Sequence, residues 1–161
     1  GIWAAGDVTG PPLIAPAGEL EGEVAVENML AGASREVDHR GTPMAVFVDP
    51  EIAMVGQSGA QAGCKEDVVE SYLDLSAVAK AYVLLRTFRA LILCAARTVH
   101  MILGAQVLAP RAADLIHELA LAVRYGLTVE DLASLVHVYP TISDGWRLLA
   151  RKCLTQLSRG D

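Results

Sequence analysis

The strongest structural signals of the chain lie in residues 102–132, "ILGAQVLAPRAADLIHELALAVRYGLTVEDL". The apolar start of this stretch predicts a strand over Val99–Val107, and a helix over Ala112–Tyr125 follows it. Gly126 is placed to end that helix. One face of the helix carries apolar residues at helical spacing, namely Leu115, Ile116, Leu119, Ala120 and Val123.

Capping signals continue the pattern downstream. Thr128 and Asp131 have the spacing of a capping box and predict a short helix that runs to Val136. Thr141 and Asp144 repeat this spacing and predict a final helix. The apolar face of the final helix consists of Ile142, Trp146, Leu149 and Cys153.

Several short β-rich runs precede residues 102–132. The strand candidates are Met44–Val48, a short strand within residues 49–56, Val68–Leu75, Ala81–Arg86 and Ala90–Ala95. A polar turn at Arg97-Thr98 joins the last of these to Val99–Val107 as a hairpin. Strands followed by helices predict an α+β domain, in which an antiparallel sheet is covered by helices on one face.

The N-terminal residues predict a strand, a turn and a helix. Ile2–Ala5 is apolar and predicts a short buried strand, which the Gly- and Pro-rich turn "GDVTGPP" follows. A helix is predicted over Ala15–Leu30, with Glu19 and Glu21 as solvated residues near its start. A protein rarely begins inside a core strand, so we expect the sequence to be a piece of a longer chain.

A polar segment, Gly32–Pro43, separates this helix from the strands. Segments of this composition typically lie between structural units. We therefore expect a first unit at residues 1–40 and a second at residues 41–161.

The composition argues against two classes of partner. A formal net charge of −6 argues against nucleic acid, because phosphate binding requires a basic face. No run of about 18 uncharged apolar residues occurs, which argues against a membrane span. With 53% hydrophobic residues, the chain is expected to bury apolar surface against a protein partner instead.

The cysteines indicate the cellular compartment. Cys64, Cys94 and Cys153 are widely spaced and form no CxxC motif. This pattern indicates thiols in a reducing, cytoplasmic compartment and argues against a structural zinc site. Cys153 lies on the apolar face of the final helix and is expected to be a packing residue.

Gly6 and Asp7 form a candidate binding turn. Glycine allows the backbone to turn sharply after a strand, and the next carboxylate can accept hydrogen bonds from sugar hydroxyls. The helix that starts near Ala15 would direct its free N–H groups and its positive end at an anionic or polar ring atom.

A second candidate site is "VHVYPTISDGW", residues 136–146. It places the imidazole of His137, the phenol of Tyr139 and the carboxylate of Asp144 around one turn. Two interpretations remain open from these residues alone. The segment is either a turn that starts a helix or a carrier of side chains to a reaction centre.

Four stretches, in order, resemble the pyridine nucleotide-disulfide oxidoreductases. "IWAAGD" resembles the second flavin-contacting motif of that family, and "VFVDPEIAMVG" (46–56) resembles the start of its C-terminal interface domain. Residues 102–132 are similar to the central strand and long helix of that domain. "HVYPTISDGW" (137–146) resembles the family signature HxHPTxSE. The resemblance covers nearly the whole chain.

The resemblance implies a role for each unit. Gly6 and Asp7 would bind the ribityl chain of FAD, and the backbone near Ile14 and Ala15 would face the pyrimidine edge of the flavin. Residues 41–161 would form a homodimer whose last turn enters the active site of the partner subunit. The sequence has no GxGxxG and no Cys-x4-Cys pair. We therefore expect FAD and NADPH domains upstream, with NADPH as electron donor, and an isolated chain that is inactive.

The signature also bears on the substrate. In the thiol-reducing members its second histidine is the acid/base for a dithiol, oriented by a glutamate. Here these positions are Tyr139 and Asp144, and a phenol is a far poorer base than imidazole near neutral pH. A tyrosine at this position is similar to mercuric reductase, in which it contacts the metal ion. The first expectation is thus reduction of Hg(II), with Tyr139 as the metal contact.

Two alternatives remain. The complete protein could be a disulfide reductase similar to dihydrolipoamide dehydrogenase or glutathione reductase, or this chain could be a non-catalytic dimerisation module. Mercuric reductase also carries two adjacent cysteines, which would fall at Arg159 and Gly160 here. His137, Tyr139 and Asp144 are the catalytic candidates, and for His137 a structural hydrogen-bonding role is favoured.

Overall fold

A computed structural model describes residues 1–32, 34–64, 67–84 and 89–159. The strands are β1 (Met44–Val46), β2 (Glu51–Gly56), β3 (Val68–Asp74), β4 (Ala90–Ala96) and β5 (Ile102–Ala109). The helices are α1 (Ala15–Ala31), α2 (Gly59–Ala62), α3 (Ala79–Val83), α4 (Ala112–Leu115), α5 (His117–Tyr125), α6 (Val129–Ser134) and α7 (Asp144–Leu157). Short 3-10 turns occupy Asp7–Thr9 and Leu75–Ala77.

The five strands form one antiparallel sheet in the order β1-β2-β5-β4-β3. Because side chains alternate along each strand, one face collects the apolar core. Its buried members include Ala53, Val55, Leu91, Leu93 and Val107. This arrangement confirms the predicted α+β fold and the predicted hairpin of β4 and β5.

Helices cover the core face of the sheet. α7 lies against β3 and β4, and α5 lies against β2 and β5. Trp146 of α7 is fully buried, and its Nε1 donates to the Leu115 carbonyl at 3.3 Å. Gly145 permits this close approach, since a Cβ there would lie 2.7 Å from Leu91 Cδ1 and 3.0 Å from Val78 Cγ2.

Among the described elements, α2 packs on one end of the opposite face. Ala62 of α2 packs there with Cys94, Ala96 and Leu103. Elsewhere this face exposes large apolar side chains, namely Met44, Val46, Ile52, Met54 and Tyr72. In the described part of the chain, no helix is long and apolar enough to cross a membrane.

Two predicted strands are wrong. Gly1–Ala5 has no strand structure, and Ile2 is 99% exposed rather than buried. A strand needs a sheet neighbour, and no described residue pairs with this segment. Within the predicted strand Ala81–Arg86, the described residues belong instead to α3 and the turn at Leu84, whereas Leu85 and Arg86 lie outside the described residues.

The buried residues around α3 have the spacing of a helix and not of a strand. Val78 and Ala81 are both almost fully buried, three positions apart, as on one face of a helix. A short apolar run cannot be assigned to strand or helix from periodicity alone.

The predicted long helix over Ala112–Tyr125 is divided at Ile116. The carbonyl of Leu115 accepts the Trp146 Nε1 hydrogen bond, and the Asp114 carbonyl lies 3.4 Å from His117 Nδ1. Side chains thus engage two carbonyls at the break, which is a known cause of helix interruption.

Candidate functional site

The turn at residues 6–10 has an open outer side. Gly6 has φ 80° and Gly10 has φ 105°, in the region that favours glycine. The Thr9 amide donates to the Gly6 carbonyl at 2.9 Å and closes the turn. A Cβ at either glycine would meet nothing within 4 Å, so a ligand can approach the backbone here.

Glu21 of α1 holds this turn by hydrogen bonds. Its Oε2 accepts the Gly6 amide at 2.7 Å and the Thr9 hydroxyl at 2.9 Å, and its Oε1 lies 3.0 Å from His39 Nε2. The Thr9 hydroxyl, followed by the Gly6 amide, lowers the pKa of the Glu21 carboxyl. Glu21 is therefore a buried acceptor, and the expectation that it is solvated is wrong.

Glu21 could have been found from its place on α1. The buried residues of the helix are Ala17, Glu21, Val24 and Asn28. These positions recur every three or four residues, so they form one stripe. A glutamate and an asparagine on an otherwise apolar stripe predict specific hydrogen bonds.

The cofactor-binding candidates surround the start of α1. Asp7 is exposed, and its carboxylate makes no hydrogen bond to another described residue. Ile14 precedes the helix in an extended conformation, with Pro16 in the first turn and no side-chain cap. The open turn, a carboxylate without a partner and an uncapped helix start thus fit a ligand with hydroxyl groups and a polar ring edge.

His137 lies inside the second candidate site. Its side chain is 5% exposed, and Nε2 lies 2.8 Å from Glu118 Oε1 on α5. Nδ1 lies 3.3 Å from the Leu135 carbonyl. Nε2 therefore holds the segment against α5, whereas Nδ1 makes a contact within the segment.

Tyr139, unlike His137, is exposed to solvent. Tyr139 is 72% exposed, and its neighbours Val136 and Val138 are 90% and 78% exposed. The phenol has no hydrogen-bond partner among the residues that the structure describes. The Thr141 hydroxyl donates to the Val138 carbonyl at 2.6 Å, which folds the segment back towards α7.

Asp144 does not meet Tyr139. Its Oδ1 accepts from Nη2 of Arg147 at 2.6 Å and from Nε of the same residue at 2.8 Å. The predicted capping box is half formed, because Asp144 donates its amide to the Thr141 hydroxyl at 3.3 Å while its carboxylate is held by Arg147. By contrast, the box of Thr128 and Asp131 is complete.

No metal centre is assembled by the described residues. No group of three His, Cys, Asp or Glu side chains is placed to bind an ion. Cys153 is fully buried, as expected for a packing residue, and burial raises the pKa of its thiol. Arg159 follows α7, and Gly160 lies outside the described residues.

An antiparallel five-stranded sheet with most of its helices on one face, preceded by an open glycine turn, defines the class of protein. It is an α+β domain of the type found at subunit interfaces, preceded by an N-terminal turn and helix. The chain belongs to the pyridine nucleotide-disulphide oxidoreductases, whose dimerisation domain matches residues 42–150.

Two similar members of this family are dihydrolipoyl dehydrogenases. Dihydrolipoyl dehydrogenase 3 of Haloarcula marismortui is 38% identical over 144 residues, which are 89% of this chain and 30% of that protein. Dihydrolipoyl dehydrogenase of Bacillus subtilis is 36% identical over 146 residues, 89% of this chain and 30% of that protein. The chain therefore spans less than a third of these relatives' length.

Solved structures agree with this assignment. LpdA from Mycobacterium tuberculosis superposes with a TM-score of 0.85 at 30% identity, over 94% of this chain and 33% of that one. The HOCl-induced flavoprotein disulfide reductase RclA from Escherichia coli gives 0.82 at 25% identity, over 93% and 35%. These names support the family, but not the expected likeness to mercuric reductase.

Proposed function

We propose that this chain is the FAD-contacting and dimerisation part of a disulfide oxidoreductase of the dihydrolipoyl dehydrogenase type. The observation that carries the proposal is 38% identity to such an enzyme across 89% of the chain. Residues 1–40 would complete a FAD-binding domain, and residues 41–161 would form the homodimer. The pyridine nucleotide would bind to a domain outside this sequence.

The residues of the first turn fit the cofactor. The Asp7 carboxylate would accept hydrogen bonds from ribityl hydroxyls, and Gly6 would let the backbone approach them. The N–H groups at Ile14 and Ala15 would face the pyrimidine edge of the ring, where the positive end of α1 favours a polar acceptor. When bound, FAD supplies two-electron transfer between the pyridine nucleotide and a disulfide.

The second site would act across the dimer. His137, held by Glu118, would fix the root of the segment, and Tyr139 would reach the active site of the partner subunit. An exposed phenol can donate a hydrogen bond there, but it replaces an imidazole base poorly. Asp144 is bound to Arg147 and does not orient the Tyr139 hydroxyl, and no other carboxylate among the described residues accepts a hydrogen bond from it. Dithiol chemistry should therefore be slow in this protein.

Assays of the complete protein test this proposal. We expect NAD(P)H-dependent reduction of lipoamide, raised at least about tenfold by Tyr139→His, because general-base catalysis contributes that much or more. Tyr139→Phe is the matched control, since it removes only the hydroxyl and should gain nothing. Lack of lipoamide turnover in both the native protein and Tyr139→His would contradict the proposal.

Reduction of Hg(II) is the second candidate, and Tyr139 is the observation that favours it. The phenol would contact the metal ion as it passes to cysteine thiolates, which are the soft ligands that such an ion prefers. The same variants decide between the two functions. Hg(II)-dependent NADPH oxidation by the native protein that Tyr139→His abolishes would establish this candidate instead.

A further inference from the structure

Two buried polar residues of α1 each hold a different segment. Asn28 grips the backbone of Arg35 on both sides: its Nδ2 donates to the carbonyl at 2.8 Å, and its Oδ1 accepts the amide at 2.9 Å. Glu21 holds the Gly6–Gly10 turn and, on its other oxygen, His39. The helix therefore carries one polar clamp for the turn and a separate one for the following segment.

The Glu21 clamp is more than packing. A buried carboxylate is costly unless donors surround it, so an apolar side chain would fill this place more simply. Glu21 instead receives a backbone N–H, a hydroxyl and an imidazole N–H, and it engages both ends of the turn. Gly18 keeps this helix close, since a Cβ there would lie 3.1 Å from Gly6 Cα.

His39 connects the clamp to the dimerisation domain. It lies two residues before Gly41, where a Cβ would be 2.6 Å from Arg124 Cβ and 2.9 Å from the Ala120 carbonyl of α5. The segment is thus pressed onto α5 next to His39. The Nδ1 atom of His39 is buried without a partner in the described part of the chain, so Nε2 makes the single polar contact of the ring.

We infer that Glu21 is a positioning residue for the cofactor turn, and that His39 ties this turn to the dimerisation domain. Glu21 fixes the Gly6 amide and the Thr9 hydroxyl, so that the Asp7 carboxylate stands free on the outer side. His39 belongs to the segment that packs on α5 and contacts the Glu21 carboxylate, so the position of this segment affects the position of Glu21. The inference rests on the proposed binding of FAD by this turn.

The test uses the complete protein with FAD removed. Apoprotein is titrated with FAD, and the dissociation constant is followed by flavin fluorescence. Glu21→Ala should raise this constant by about tenfold or more, as expected for lost hydrogen bonds to a charged group. Glu21→Gln keeps the shape and one acceptor oxygen, so its dissociation constant should lie between those of the native protein and Glu21→Ala. Asn28→Ala is the matched control on the same stripe and should change the constant less than about threefold.

Hydrogen exchange of the flavin-free protein gives a second readout. The Gly6 amide should exchange faster in Glu21→Ala than in Asn28→Ala, because only the first loses its acceptor. His39→Phe should weaken FAD binding while leaving Gly6 protected. Equal FAD affinity and equal Gly6 exchange in Glu21→Ala and the native protein would overturn the inference alone. A native protein that binds no FAD would overturn the proposed function, and the inference with it.

Discussion

Two candidate segments of this chain are each held by a glutamate, in different ways. At residues 6–10, Glu21 binds the backbone and the hydroxyl of the turn itself. At residues 135–140, Glu118 binds one side chain, His137, and the residues on either side of it stay exposed. Glu21 thus fixes the first segment at two points, Gly6 and Thr9, whereas Glu118 fixes the second through the single side chain of His137.

This difference matches what each segment would contact. A turn with a fixed backbone suits a cofactor that stays bound, because little conformational entropy is lost on binding. A segment that exposes Val136, Val138 and Tyr139 leaves apolar surface that a second subunit can cover. The position of the anchor would therefore distinguish the proposed binding turn from the proposed interface segment.

Overpacking the start of α7, the helix that follows the second segment, should have the largest effect. Gly145→Val places a side chain where a Cβ already lies 2.7 Å from Leu91 Cδ1. We expect the free energy of unfolding to fall by about 3 kcal/mol, as for overpacked cores. Denaturant unfolding measures this change. Gly22→Val is the matched control, because nothing lies within 4 Å of a Cβ there; a similar loss in both variants would contradict the packing argument.

Removing the contact between Glu118 and His137 should lower the free energy of unfolding by a smaller amount. Glu118→Ala leaves the buried His137 without its Nε2 partner, and we expect a loss of about 2 kcal/mol, as for one hydrogen bond to a charged group. Glu118→Gln keeps an acceptor and should lose less than half of that. Exposed Glu23→Gln is the control and should leave stability unchanged. Thermal unfolding of the three variants checks the order, and an unchanged Glu118→Ala would show that the pair does not anchor the segment.

Lowering the pH should destabilise the folded protein through protonation of Glu21, which holds the first segment. Because the folded protein holds the pKa of this carboxyl below its ordinary value of 4.5, the group stabilises the fold fully above that value. The contribution is lost as the pH falls through the lowered folded pKa. The stability difference between native protein and Glu21→Gln should therefore shrink from about pH 6 to about pH 3. A difference that stays constant over this range would exclude a role for the Glu21 charge.

Local signals explain what could be predicted from sequence. The capping box of Thr128 and Asp131 and the apolar face of α7 depend on residues three or four positions apart, and the structure contains both. The α+β order of strands and helices follows from the same short-range patterns. Ile2–Ala5 failed because a strand also depends on a neighbour, which no local pattern describes.

Long-range pairs explain what could not be predicted. Glu21 meets His39, and Glu118 meets His137, across stretches of chain whose folding brings them together. Asp144 is different, because its partner Arg147 lies only three residues away. That spacing is visible in the sequence and competes directly with the capping role.

Sedimentation equilibrium most directly tests the claim that the exposed segment belongs to a dimer interface. For the 161-residue chain, we predict a reversible dimer of about twice 17.0 kDa at micromolar concentrations. Val138→Asp should shift it towards monomer, because it places a charge in the covered apolar surface. A native chain that remains monomeric throughout this range, or a dimer that Val138→Asp leaves intact, would contradict the account.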